Sequence, residues 1–477
     1  MELHVVIEGD KDLTGQLVRQ LREAVRAGRL APGAKLPPSR LLAEQLGLSR
    51  KTVNEAYARL TYDRVLIGRV GSGTFVAGKA VPQAPAPQRS DFAGADMLAR
   101  WRGLHTPLRH APHEGGSRFE YIGGAPDRKL FPQAEWRRCV MQALRESSRS
   151  RGLYGPTEGL PALREAIARH VAFSRGVRCG AADIIVTNGA QQAFDLVARV
   201  LVAPGATVAV EEPGYPPVRA LFEGLGAHVV GVPVDGEGLQ AERIPDGTCL
   251  IYVTPAHHFP LGMPMSTRRR EALLARAEAL GALVVEDDYD SEFRYEGRPN
   301  DALQSLDRHG RVAFVGSFSK TISPELRLGY LIAPPAINEA VAAAKHLVDW
   351  HTALPAQAAL AKFIDEGELL KHIRRCHAVY AARRERLMQR FAADLAPWLE
   401  LVPTQAGFHM AALARRTLDM DMLLKLTRRV DVGLYSIDGF YHFSPPRQGL
   451  MLGFGVIATE DIDTSLDRLR DILQQMG

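Results

Sequence analysis

From residue 118 onward the chain repeats one pattern: a short, almost uninterrupted run of aliphatic residues, a turn, then a helical stretch. "DIIVTNG" runs into "AQQAFDLVARVLV", "TVAVEEPGY" and "CLIYVTP" follow, and "ALVVEDDYD" comes after the helix-like "TRRREALLARAEALG". A strand that is apolar on both faces must be covered on both faces, and helices between such strands make parallel crossovers. The pattern predicts an α/β fold with a mostly parallel sheet between helical layers. From about 355 the chain becomes helix-rich, with "FHMAAL" and "LMLGFGV" as strands, which predicts a smaller C-terminal subdomain. With 477 residues, the chain is expected to hold two or three domains.

Residues 1–78 follow a different logic. In "LTGQLVRQLREAVRAG", Leu13, Leu17, Val18, Leu21 and Val25 recur at helical spacing. "APGAKLPPSR" is a turn, Ser39 is placed to cap "RLLAEQLG", and Gly47 is a natural stop. Ser49 then caps "RKTVNEAYARLTYD", whose Val53, Ala56, Tyr57 and Leu60 point inward and whose first turn is basic and polar. "VLIGRVGSGTFVAG" reads as a two-stranded wing. Residues 1–80 hold 13 Lys/Arg against 8 Asp/Glu, whereas the rest of the chain holds 46 of each. All of the net charge of +5 therefore sits at the front, where it favours a nucleic-acid partner. Between the two zones, residues 79–117 are rich in Pro, Ala, Gly and charge and predict a linker.

Other features bound the setting. Cys139, Cys179, Cys249 and Cys376 are too far apart for zinc-finger or redox spacing, so no metal site is expected. Membrane helices need about 20 apolar residues, and no run approaches that. A cytoplasmic protein is expected.

The stretch "KLPPSRLLAEQLGLSRKTVNEAYARL" with "GRVGSGTFV" resembles the winged helix-turn-helix of GntR-type transcription regulators. The resemblance implies double-stranded DNA as partner and assigns its contacts to Arg40, Arg50, Thr52, Arg69, Gly71, Ser72 and Gly73.

Chemistry gathers further along. "SFSKTISPELRLGY" sets Lys320 among hydroxyls, with Ser317 and Ser319 beside it and Arg327 as a bidentate partner for phosphate. Asn188, Gly189, Ala190 and Gln191 lie between a strand and a helix, where free N–H groups and the helix dipole suit a phosphate. Asp287 and Tyr289 end another strand. A lysine, an enclosed carboxylate, a tyrosine and a phosphate cradle match the needs of pyridoxal 5′-phosphate. Tyr215, in "EEPGYPP", is placed to stack on its ring.

These motifs, with "YGPTEGLPALREAIARH", resemble the fold-type I aminotransferases over residues 118–477. The resemblance implies that Lys320 is the internal aldimine lysine, Asp287 the pyridine partner and Tyr289 the ring-hydroxyl partner. It makes Ser317 and Arg327 phosphate ligands. It also implies that Tyr154 reaches the phosphate of a neighbouring subunit, hence a homodimer. "TPAHHFPLG" stands where that family carries "NPxNPTG", leaving His257 or His258 to replace an asparagine beside the ring. Met451 falls where the family places a carboxylate-binding arginine, and Arg219 and Arg447 are candidate substitutes for effector binding. A DNA-binding head joined to such a domain resembles the MocR subgroup of GntR regulators. It implies a cofactor-dependent regulator that senses a small amine or amino acid, or pyridoxal phosphate itself, bound to an operator with two half-sites. A working aminotransferase with an accessory nucleic-acid-binding head is the alternative.

Overall fold

In a computed structural model, which describes all residues except 1–4, 6, 8, 10, 70, 79–93, 105–115, 150, 297–300 and 477, the chain divides into two units, Met1–Leu98 and Ala99–Gly477.

The front unit is built from three helices and a hairpin. Asp12 caps α1 (Leu13–Arg26), accepting from the Gly15 N–H at 3.1 Å. Next, α2 (Ser39–Leu46) ends at Gly47, whose φ of 65° supplies the left-handed C-cap. Ser39 is the first helical residue and not the cap, because Pro38 with ψ 143° holds the cap position. Ser49 does cap α3 (Arg50–Tyr62), accepting from the Thr52 N–H at 3.0 Å. The Tyr57 hydroxyl donates to Pro37 O at 2.9 Å and ties α3 to the turn before α2. Leu17, Leu21, Leu42, Val53, Leu60 and Leu66 are buried together, with Leu46 partly so. Each fully buried Leu or Val of this set contributes roughly 1.5–3 kcal/mol, so the head carries a core of its own. Strands β1 (Leu66–Arg69) and β2 (Gly73–Val76) pair antiparallel as the wing.

Of the expected linker, residues 79–93 and 105–115 lie outside the described residues. The described part carries α4 (Ala95–Gly103). Trp101 and Leu104 reach Gly224, where a Cβ would stand 3.0 Å from each.

The second unit centres on an eight-stranded sheet. In chain order its strands are β3 (Ile184–Thr187), β4 (Thr207–Glu212), β5 (His228–Asp235), β6 (Gly238–Leu239), β7 (Thr248–Val253), β8 (Leu283–Asp288), β9 (Val312–Ser317) and β10 (Gly329–Ile332). They lie in the order β3-β10-β9-β8-β7-β4-β5-β6. The five central strands from β9 to β5 are mutually parallel, as expected, and β3, β10 and β6 run antiparallel to their neighbours. Side chains alternate across the sheet. On β8, Leu283 and Val285 join the core under α5 (Ala190–Leu201) and α6 (Pro335–Asp349), while Val284 joins the core on the opposite face. A smaller antiparallel sheet follows, with β11 (Leu399–Leu401), β12 (His409–Ala414), β13 (Tyr435–Ser436) and β14 (Gly449–Gly453) in the order β11-β12-β14-β13. Among the described residues, no helix is long and apolar enough to cross a membrane.

Candidate functional site

Parallel strands bring their C-terminal ends to one edge, and chain segments leaving that edge in different directions open a crevice between them. Here β8 ends at Asp287 and Asp288, β9 at Ser317 three residues before Lys320, and β4 at Glu212 three residues before Tyr215. The crevice is a cavity of about 460 Å³ lined by Ala190, Gln191, Tyr215, Asp287, Tyr289, Ser317, Ser319, Lys320 and Arg327 from the predicted set. Tyr252, Phe259, His409, Met451 and the Gly123–Gly124 backbone also line it, with Phe194, Pro217 and Pro324.

Asp287 is enclosed. Its Oδ2 accepts from the Tyr252 hydroxyl at 2.6 Å, and its Oδ1 has no hydrogen-bond partner. Burial pushes its carboxyl up to about 7, against the pull of the Tyr252 hydroxyl. An enclosed, half-satisfied carboxylate on a cavity wall suits a cationic N–H donor, and a protonated pyridine nitrogen is such a donor. Lys320 Nζ donates to Gly124 O at 2.7 Å. Burial lowers its pKa, with Arg327 adding to the effect and Asp290 and Asp287 opposing it. A lysine so placed carries more of the neutral amine that acts as nucleophile. The Tyr289 hydroxyl donates to His257 O at 2.8 Å, and burial raises its pKa well above the ordinary phenol. Tyr215 meets Phe259 edge-on at 5.4 Å between ring centres.

The anion cradle lies at the start of α5. No side chain caps this helix, which leaves the Ala190 and Gln191 N–H groups for a ligand. Gly189 has φ 79°, and a Cβ there would stand 2.7 Å from Arg327 Nη2, so only glycine lets the guanidinium close over the helix end. Arg327 Nη2 donates to Asn188 O at 2.9 Å. The Asn188 side chain faces away from the cavity and donates to Asp349 Oδ2 at 2.7 Å, beside Gln192 Nε2 at 2.7 Å. Lys345, fully buried, donates to Asp349 Oδ1 at 2.8 Å and to Thr352 at 3.2 Å. Asp349 thus pins the cradle from behind.

Several predicted residues lie elsewhere. His257 is buried one layer back, with Nδ1 2.8 Å from Asp290 Oδ1 and its ring 4.2 Å from that of His409, which lines the cavity in its stead. His258 is buried with Nε2 3.8 Å from Glu211, and burial lowers its pKa to about 3. His257, Asp290 and His409 each offer a donor atom within 4.8 Å of the others. The short His257–Asp290 contact already uses one of these as a hydrogen-bonded pair. Arg219 is held by Glu223 at 2.8 Å, Arg447 is exposed, and neither is among the lining residues. Tyr154 is 76% exposed, its ring 4.4 Å from Trp350.

Arg40, Arg50 and Arg69 on the head are exposed, as are Gly71, Ser72 and Gly73 at the wing tip. Arg69 stacks over Phe75 at 5.0 Å. Thr52 is half-buried, its hydroxyl 2.8 Å from that of Ser49.

Tyr252, Asp290, Asp349 and His409 were not singled out in the sequence. Tyr252 had a usable signal, since it lies on β7 beside β8 and pairs with Val285, two residues before Asp287. His409 had none, because it arrives on a strand of the second sheet.

The chain is similar to known families at both ends. Residues 13–76 match the family described as bacterial regulatory proteins, gntR family, and residues 131–447 match aminotransferase class I and II. The probable rhizopine catabolism regulatory protein MocR of Rhizobium meliloti is 36% identical, over 98% of this chain and 95% of that protein. The HTH-type regulator TauR of Rhodobacter capsulatus is 39% identical over 79% of each. The HTH-type pyridoxine biosynthesis regulator PdxR of Corynebacterium glutamicum is 32% identical over 94% of this chain and 92% of that protein. Among solved structures, an archaeal alanine:glyoxylate aminotransferase superposes with a TM-score of 0.71 at 27% identity, over 81% of this chain and 96% of the other.

Proposed function

The chain belongs to the GntR family of transcription regulators, in the MocR type that carries an aminotransferase-like domain, and from that membership we propose that it is a pyridoxal phosphate-loaded sensor controlling a DNA-binding head. The observation that carries the cofactor is Asp287, a buried carboxylate with one oxygen bound by Tyr252 and the other unpartnered at the cavity. Pyridoxal 5′-phosphate supplies an aldehyde that condenses reversibly with primary amines. Lys320 is the amine that would hold it, and Asp287 would keep a proton on the ring nitrogen. The Ala190 and Gln191 N–H groups, Ser317, Ser319 and Arg327 would hold the phosphate, with Gly189 allowing the close approach. Tyr215 would pack on the ring, and Tyr289 would turn its hydroxyl from His257 O toward the ring hydroxyl.

The working unit on this reading is a homodimer. Tyr154, Trp350 and Leu347, the last 84% exposed, present an apolar surface beside the cradle that a second copy would cover. Two heads then read two half-sites of an operator through Arg40, Arg50 and Arg69. A DNA partner sets the protein in the cytoplasm.

The test is to load full-length protein with pyridoxal phosphate, reduce it with borohydride and map the labelled peptide. Label on the Lys320 peptide is expected, and label on any other lysine overturns the site. A second reading, full transamination, draws on the same Lys320, Asp287 and Tyr289. Release of a new amino acid from an amine and a keto acid would favour it, whereas a spectral change without product favours the sensor.

A further inference from the structure

The wall of the cavity supplied by the second sheet has its own chemistry. There β12 contributes His409 and β14 contributes Met451. Met451 is buried with Leu261, Ala411, Ile437 and Phe440, and Phe259 packs against the group. Its methyl lies on the Gly123 backbone, where a Cβ would stand 2.6 Å from Cε. The next residue, Gly124, accepts Lys320 Nζ, so Met451 flanks the place where a ligand amine must arrive. His409 is 1% exposed, and its Nε2 has no hydrogen-bond partner. Its ring is held against His257, itself fixed by Asp290. Burial first, then His257, His258 and Lys320, drive the His409 pKa well below its ordinary value against the pull of the Pro260 backbone, so the imidazole is neutral. Among the described lining residues the arginine and lysine side chains are Lys320 and Arg327, the first committed to the carbonyl chemistry and the second to the cradle.

A ligand acid group pressed on this wall would exchange water for a thioether, an aromatic ring and a neutral imidazole. Desolvating an unpaired carboxylate or sulfonate is strongly unfavourable. A hydroxyl in the same place both donates and accepts, so it satisfies the unpartnered imidazole nitrogen in either tautomer. We propose that His409 and Met451 set the ligand class of this site as primary amines bearing a hydroxyl, in preference to amino acids or amino sulfonates. This rests on the reading of the cavity as a pyridoxal phosphate site.

The test uses the full chain loaded with pyridoxal phosphate and follows the change in cofactor absorbance on adding matched pairs, ethanolamine with glycine and propanolamine with β-alanine. In the wild type each amino alcohol should act at a concentration at least about tenfold below its acid partner. His409→Leu should shrink that ratio by about fivefold, the worth of one hydrogen bond, while His409→Gln, which keeps a hydrogen-bonding head, should retain most of it. Met451→Arg should lower the concentration at which the acids act. Equal response to both members of a pair, preference for the acid, no response to either, or an unchanged ratio in a His409→Leu protein that still develops the cofactor absorbance would each overturn the assignment. A wild type that never develops that absorbance would instead sink the underlying cofactor reading.

Discussion

Replacing Asp287 by Asn should stabilise the cofactor-free protein and weaken cofactor binding, two effects of opposite sign from one atom. A carboxyl near 3.8 in the unfolded chain and about 7 in the folded one holds its proton more tightly when folded. The sign follows: the contribution of Asp287 to stability is fully present below about pH 4 and is lost as pH rises through about 7. Above that, the folded carboxylate costs on the order of 4 kcal/mol, the raise to about 7 converted at about 1.4 kcal/mol per unit. Asparagine keeps an oxygen for the Tyr252 hydroxyl and removes the charge. Apo Asp287→Asn should therefore melt higher than wild type near pH 8, with the gain fading toward about pH 4. In the loaded protein the same change removes the acceptor for the ring nitrogen. A charge-assisted hydrogen bond is worth about 1.5–3 kcal/mol, so affinity should fall by roughly 10- to 150-fold. Thermal melts of apo protein across pH, with an absorbance titration of the cofactor, measure both. An Asn variant that melts lower near pH 8, or binds the cofactor as tightly as wild type, would refute the reasoning.

Arg50→Ala, at the exposed start of α3, should weaken operator binding by about 1–3 kcal/mol in a gel shift and leave the cofactor spectrum unchanged; a changed spectrum would contradict a head that folds on its own core. Asp349→Ala should leave the buried Lys345 ammonium with only Thr352 and remove the acceptor of Asn188 Nδ2 and Gln192 Nε2. Breaking such a buried pair costs about 3–5 kcal/mol, so an unchanged denaturation midpoint would count against the role given to Asp349. Tyr154→Ala should weaken both cofactor binding and self-association, and sedimentation showing only monomer in the wild type would remove the partner-site reading of this tyrosine.

Legibility in the sequence followed the range of the interactions involved. The caps at Ser49 and Gly47 and the wing rest on neighbours a few residues apart, and the parallel strands, though they pair with distant partners, announce themselves as local apolar runs; all were readable. Lys320, Asp287 and Tyr289 all fall on the cavity because each lies at or within three residues of the end of a strand that the topology fixes. Ser39 was misread as a cap because Pro38, one residue earlier, already holds extended geometry. Asn188 was expected to offer a backbone N–H to a phosphate; that N–H donates to Gln192 Oε1 at 2.8 Å, and its side chain donates to Asp349, 161 residues away. His257 or His258 was expected beside the ring on motif position alone. Strand β12, which has no sequence link to the motif, brings His409 to the cavity wall and leaves His257 behind it. Contacts of that kind depend on two sheets meeting, and no local pattern records them.

The meeting of those sheets also bears on how the site communicates. Asp287 at the end of β8 and Lys320 just past the end of β9 form one side of the cavity, and the second sheet supplies His409 and Met451 on the other. Glu212, at the end of β4 and three residues before Tyr215, latches the two sides. Its Oε1 accepts from the His442, Phe443 and Ser444 N–H groups at 2.8, 3.0 and 3.1 Å and from the Ser444 hydroxyl at 3.0 Å. One carboxylate oxygen with four donors is a strong, geometrically demanding contact. A ligand shifts an equilibrium only by its difference in affinity between two states. A ligand held by Lys320 alone would ride with one side and discriminate nothing. A ligand that also engages His409 spans both sides, and its contacts depend on how the second sheet sits against the first. On the proposed function, sensing would therefore reside in the residues that bridge the cavity, and a lysine that captures the ligand would be necessary for it but not sufficient.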